Sequence, residues 1–238
     1  FIVKGGTQAG LRLVDVGATA TITNCVFRGN PMEGIRCYRS HPVIEDCFIH
    51  NNGDRGIYCY YGSPRIERCS IVANATSAIL SDYGSPTVID SFIVGNAQYG
   101  LYLSTACQPA LTNCLLAGNA ASALCVRGTS IATVINSSFI SNTPSGISQG
   151  GAILTANSGR FTLRNSVFFN NAQTAVKEGS AGNNEVSNCL FRSNPDGDYF
   201  DYEQYTKYTG AAAINTNVAG ATGNIDGDPL FSEVASGA

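Results

Sequence analysis

Tryptophan is absent from this 238-residue chain, methionine occurs once and histidine twice. Charged residues make up only 13% of it, and the formal net charge is −3. So weak and slightly acidic a balance gives no basic field to gather nucleic acid. No apolar run approaches the ~18 residues of a membrane span. Neither histidine sits in an H-E-x-x-H or triad signature, which removes the commonest zinc-hydrolase and serine-hydrolase readings. The nine cysteines form no C-x-x-C pair, so zinc, haem and redox motifs are missing too. What the chain has instead is glycine, 26 of them, with 44% hydrophobic residues. That composition, rich also in Asn, Ser and Thr, suits short strands broken by many turns.

The turns recur on a fixed period. "HPVIEDCFIHNN" (41–52), "SPRIERCSIVAN" (63–74) and "SPTVIDSFIVGN" (85–96) are one phrase written three times. Aligned on the aliphatic after Pro, the slot holds Ile22, Ile44, Ile66, Val88, Leu111, Val134, Leu163 and Val186. Three residues on comes Cys25, Cys47, Cys69, Ser91, Cys114, Ser137, Ser166 or Cys189. A large apolar follows, from Phe27 to Phe191, and then always asparagine: Asn30, Asn52, Asn74, Asn96, Asn119, Asn142, Asn171 and Asn194. One longer step reflects an insertion, "TPSGIS" (143–148). A period of 20–50 residues means a stacked architecture. Short alternating segments at 22–23 residues predict an all-β, single-domain parallel β-helix of about nine coils, with rungs about 4.8 Å apart. Equal slots then form columns, and an asparagine column predicts a ladder, because each amide both donates and accepts. The repeats span 1–194, and 195–238 form a tail or last coil. Val3 fills the slot of Phe27, so residue 1 enters a coil already under way, as in a piece of a longer chain.

The pattern P-x-I-x-x-C-x-I-x-x-N-x-x-x-G-I resembles the right-handed parallel β-helix repeat of the pectate-lyase-like superfamily. It is most similar to secreted repeat proteins that bind or hydrolyse carbohydrate, and "GNIDGDPLF" (223–231) resembles a closing phrase of such helices in bacterial surface proteins. The resemblance implies an extracellular or cell-surface location. It spans lyases, hydrolases, epimerases, adhesins and proteins of no known activity, so it leaves activity open.

The columns sort the side chains. The cysteine slots accept Ser, Leu or Val, as buried packing positions do. Stacked neighbours also lie within bridging range, which makes Cys37–Cys59 and Cys107–Cys114 candidate disulfides. In "GIYCYYGS" (56–63) Ile57 and Cys59 point inward, so Tyr58 and Tyr60 point outward. The outward columns bring together Arg36, Tyr38, Tyr58, Tyr60, Asp82, Tyr102 and Arg127, with Arg39, His41, Tyr61 and Tyr83 at the edge. Flat aromatics suit the C–H faces of sugars, and arginine can fork onto a carboxylate or sulfate. The expected function is polysaccharide binding on this face. The alternatives are a polysaccharide lyase, for which Arg36, Tyr58, His41 and Asp82 are the available groups, and a structural or assembly module. A hydrolase needs two carboxylates roughly 5–9.5 Å apart, and this face offers only Asp82, with Asp54 and Glu33 in nearby turns.

Two more features call for partners. Asp196, Asp198, Asp201 and Glu203 lie close in sequence and are candidate Ca²⁺ ligands, although the spacing is not that of an EF-hand; Asp226 and Asp228 are a weaker pair. On the opposite sheet, Phe48, Val72, Phe92, Val94, Leu115, Ile140 and Phe169 predict an outward apolar stripe. The tail, a further domain or a second copy of the chain is expected to cover it.

Overall fold

Each 22-residue phrase makes one turn of a parallel β-solenoid. The computed structural model describes residues 1–144 and 150–229; most of the 143–148 insertion and the end of the closing phrase lie outside the described residues. A turn contains three short strands, as in Ile57–Tyr60, Arg65–Glu67 and Ser70–Val72. Stacked, they form sheets I, II and III, of ten, nine and ten strands respectively. Register follows the sequence slots: Ile35 pairs with Ile57, Ile57 with Ile79 and Ile79 with Leu101.

The corners explain the abundance of Asn, Asp and Gly. One left-handed residue turns the chain from sheet II to sheet III in each coil: Asn24, Asp46, Arg68, Asp90, Asn113, Asn136, Asn165 and Asn188, all with φ between 49° and 54°. Asn and Asp tolerate that region better than other residues with side chains.

About eight turns are complete, rather than nine. The ninth breaks up: Tyr199–Asp201 receives an antiparallel partner, Thr206–Tyr208, and a helix at Ala211–Asn217 precedes two-residue strands at Ala221–Thr222 and Ile225–Asp226. Among the described residues no helix is long and apolar enough to cross a membrane.

The interior is made of columns. Phe139, Phe168 and Phe191 stack with centroids 5.0 and 4.9 Å apart, close to the rung spacing. The asparagine ladder runs unbroken from Asn30 to Asn194, each residue almost wholly buried. Asn74 shows the unit. Its Nδ2 donates to Oδ1 of Asn96 (3.0 Å) and to the carbonyl of Ile49 (3.3 Å). Its own Oδ1 accepts from Nδ2 and the backbone N–H of Asn52 (3.0 and 3.2 Å). Every side-chain rung donates toward the C-terminal end. The last, Asn194, donates to the carboxylate of Asp198 (2.8 Å).

All nine cysteines are free thiols, so neither candidate disulfide forms and the packing reading holds. Cys37 and Cys59 are register partners and remain hydrogen-bonded thiols; that contact and burial push Cys59 well up. The Cys107 and Cys114 thiols turn to different carbonyls, Ser81 and Thr105 for one, Val88 and Thr112 for the other. Burial raises Cys114 to about 11 and Cys125 to about 12, as expected of inert packing thiols.

Three of the tail carboxylates make local contacts. Asp198 ends the ladder and accepts from the Gly210 N–H (2.8 Å), Asp196 pairs with Lys207 (2.6 Å), Asp201 accepts from the Gln204 N–H (3.0 Å), and Glu203 is exposed. Asp226 accepts from the Ala211 N–H with both oxygens. No three His, Cys, Asp or Glu side chains converge among the described residues. The described tail closes the end of the solenoid instead of lying along sheet III, where Phe48 and Phe92 are 40% and 51% exposed.

Candidate functional site

The outer face of sheet I carries the tyrosines. Parallel register places Tyr38 beside Tyr60 and Arg36 beside Tyr58. Tyr38 and Tyr60 stack at 5.6 Å. Tyr61 and Tyr83 stack at 4.7 Å, nearly parallel, and Tyr60 meets both edge-on. Arg39 lies over the Tyr38 ring at 5.0 Å. Beside these rings Arg12, Arg36, Tyr38, Tyr58 and Tyr60 line an open groove of about 300 Å³.

The corner residues are unusual. Arg39, Tyr61 and Tyr83 end their sheet I strands in the left-handed region, at φ 47°, 52° and 55°. Other coils turn this corner with Asp15, Ala106, Gly128 or Asn157. A bulky residue there costs about 1–2 kcal/mol relative to a relaxed backbone. Tyr61 and Tyr83 are nevertheless 46% and 45% exposed.

Beneath the rings lies an ionic scaffold. Glu33 is fully buried and receives two bonds of 2.9 Å from Arg36 and one of 3.4 Å from Arg55. Arg55 lies over Tyr58 at 5.0 Å and pairs with Asp54 at 2.6 Å. The Tyr58 hydroxyl donates to Asp82 (3.1 Å), which also accepts from Ser104. Burial, with Asp82 adding to it, pushes Tyr58 up to about 12. Tyr58 is therefore a fixed, protonated donor.

The sequence-derived set divides in two. Arg36, Tyr38, Arg39, Tyr58, Tyr60, Tyr61, Asp82 and Tyr83 form one cluster. Tyr102 and Arg127 belong to a second hollow of about 350 Å³, where Arg127 donates to the Tyr102 hydroxyl (2.7 Å) and Tyr99 lies 5.0 Å from Tyr102. His41 stays at the edge, its Nδ1 accepting from the Ser63 N–H (3.3 Å). Sequence reading missed Arg55 and Tyr99 and left Glu33 in a turn. All three precede the Gly that opens a sheet I strand (Gly34, Gly56, Gly100), a slot whose column is legible once the phrase is aligned.

The family model described as the right-handed beta helix region matches residues 3–139 and 110–224. The chain belongs to that family. Among solved structures the β-helix is similar to pectate lyase Pel9A, with TM-score 0.58 and 14% identity over 83% of this chain and 54% of that one. It is also similar to ORF18 of Geobacillus virus E2, with TM-score 0.57 and 13% identity over 95% and 50%. A third is the catalytic unit of a GH87 α-1,3-glucanase from Streptomyces thermodiastaticus, with TM-score 0.50 and 12% identity over 97% and 48%. The β-helix thus spans about half the length of these structures, and at such identity the likeness establishes the fold. Nothing among curated proteins matches the sequence.

Near the C-terminal end of sheet I the β-helix has a further pocket of about 500 Å³, lined in part by Lys177, Glu178, Phe200, Tyr205 and Lys207. Glu178 takes the inward slot that Cys37 and Cys59 fill earlier. It accepts from the Tyr199 hydroxyl, Asn184 Nδ2 (2.6 Å) and the Tyr202 N–H (3.1 Å). Burial nonetheless raises its pKa. A carboxyl raised in the folded state favours folding at low pH, and that contribution is lost as pH climbs from the usual ~4.3 through the raised value. The parent should therefore lose stability across that window relative to Glu178→Gln, by about 1.4 kcal/mol per unit of elevation. Urea midpoints of both proteins at acid, weakly acid and neutral pH will show it; parallel pH curves would contradict it.

Proposed function

We propose that the chain is an extracellular or cell-surface module that binds polysaccharide on the tyrosine face of sheet I. The observation that carries this reading is the choice of Arg39, Tyr61 and Tyr83 for left-handed corners that Asp, Gly and Asn turn at lower cost elsewhere. Two of those side chains form a stacked, exposed aromatic pair beside an arginine-lined groove. Stacked rings offer apolar area with polar tips, the combination that sugar rings require. The names of two fold neighbours, a pectate lyase and an α-1,3-glucanase, are in keeping with a carbohydrate ligand.

Affinity electrophoresis through gels cast with neutral, uronate-containing and sulfated polysaccharides tests the reading. At least one polymer should retard the parent, and Tyr60→Ala should weaken that interaction about tenfold, because Tyr60 touches Tyr38, Tyr61 and Tyr83. Migration unaffected by every polymer would refute binding and favour a structural module. Unsaturated product absorbing in the ultraviolet, formed by the parent, would favour the lyase alternative.

A further inference from the structure

Lys4, Arg28 and His50 occupy one outward column at the N-terminal end of sheet III. Val3 is in register with Phe27 and Arg28 with His50, so the three side chains succeed one another on neighbouring rungs. With Gly5, Gly29 and Asn51 they line a shallow pocket of about 430 Å³. No carboxylate lines it, and none of the three makes an ion pair among the described residues, although the chain is net negative. Like charges directly across a sheet repel. Most arginines of the first coils are treated differently: Arg36, Arg39, Arg55, Arg65 and Arg68 each face a carboxylate, and Arg12 is the exception among the described residues.

The surroundings are shaped for a ligand. Gly5 and Gly29 are left-handed, at φ 65° and 59°, and the space where their side chains would stand is empty. Their backbone N–H groups are spent on Gly29 and Asn51 carbonyls. Donors for a ligand must therefore come from the side chains. The His50 ring is held by stacking on Phe48 at 4.0 Å, which gives the hollow a flat apolar border. The groups around His50 are Arg28 and Lys4 on one side, Val72 on the next rung, and Phe48 and Asn51 on its own. Burial and Arg28 lower its pKa, as an unneutralised column would.

We infer that this column is an oxyanion site that takes a sulfate or phosphate ester carried on a saccharide. Arg28 and Lys4 supply the charge, with Arg28 able to fork onto two oxygens. His50 and Asn51 supply further donors. The hollow, at about 430 Å³, leaves room beyond a lone oxyanion, and the flat Phe48–His50 border suits the sugar that bears the ester. The site lies on a different sheet from the tyrosine face and stands whether or not that face binds glycan.

The two histidines make the test direct. Imidazole proton resonances are followed through pH titrations with inorganic sulfate, a monosaccharide 6-sulfate, or vesicles rich in anionic phospholipid. Sulfate should raise the pKa of His50 and leave His41 unmoved. The sugar sulfate should bind at least threefold more tightly than the free ion. Arg28→Gln, an exposed substitution, should raise the starting pKa of His50 and weaken both ligands roughly tenfold. An unmoved His50, an affinity indifferent to Arg28→Gln, or binding of vesicles without binding of the sugar sulfate would each overturn the inference.

Discussion

Asn96→Ala should destabilise the protein by about 3–4 kcal/mol, out of proportion to the few atoms removed. Asn96 Oδ1 accepts from the backbone N–H and Nδ2 of Asn74 (3.1 and 3.0 Å), and its Nδ2 donates to Asn119 Oδ1 and the Ile71 carbonyl (3.0 and 3.1 Å). Truncation leaves the Asn74 N–H without an acceptor and Asn119 Oδ1 short of a donor, in a site from which water is excluded. Each unsatisfied buried group costs about 1–3 kcal/mol. Asn96→Asp should be worse, because a carboxylate cannot donate to Asn119 or Ile71 and buries a charge. Urea unfolding measures the difference. Asn96→Ala within 1 kcal/mol of the parent would mean that the ladder adds order but little stability.

The pair Tyr61→Asn with Tyr83→Asn should show the opposite balance: binding lost and stability kept. Asparagine relieves two left-handed corners at about 1 kcal/mol each. Against this stands the lost Tyr61–Tyr83 stack, worth about 0.5–1.5 kcal/mol. The double variant should therefore unfold at a denaturant concentration equal to or slightly above that of the parent. If each ring contributes about 1–1.5 kcal/mol to a stacked sugar, affinity for any polysaccharide that the parent binds should fall roughly 30- to 150-fold. A variant less stable by several kcal/mol would make the tyrosines structural. One that binds as the parent does would move the sugar elsewhere.

The architecture was legible because it is repetitive. One asparagine fits a turn for many reasons, but eight in one slot have a shared cause, which the ladder supplies. Alternation within "GIYCYYGS" likewise gave the inward and outward faces, and the parallel register of Tyr38 with Tyr60 follows from the slots. What failed to show lay between slots or beyond the repeat. Tyr61 and Tyr83 were visible as neighbours, but their left-handed φ was not, since the same corner carries Asp15 and Gly128 in other coils. The burial of Glu33 depends on two arginines from successive coils, a contact no single phrase encodes. The coil count and the role of Asp198 were missed where residues 195–229 leave the period. There a run of carboxylates reads as a cation site, while Asp196, Asp198 and Asp201 are held by local donors that the repeat does not encode.

The ladder also gives the solenoid an electrical direction. Each side-chain amide is a small dipole with its N–H end turned toward the C-terminal coil, so the dipoles of successive rungs add, much as peptide dipoles do along a helix. The positive end of that row falls at Asn194, and the carboxylate of Asp198 sits there as its counter-charge. Growth by duplication is correspondingly one-sided. A copied coil spliced between two rungs finds an acceptor ahead and a donor behind, and every bond is restored. A coil appended after Asn194 meets a terminator, and must replace Asp198 with an amide before the row can lengthen.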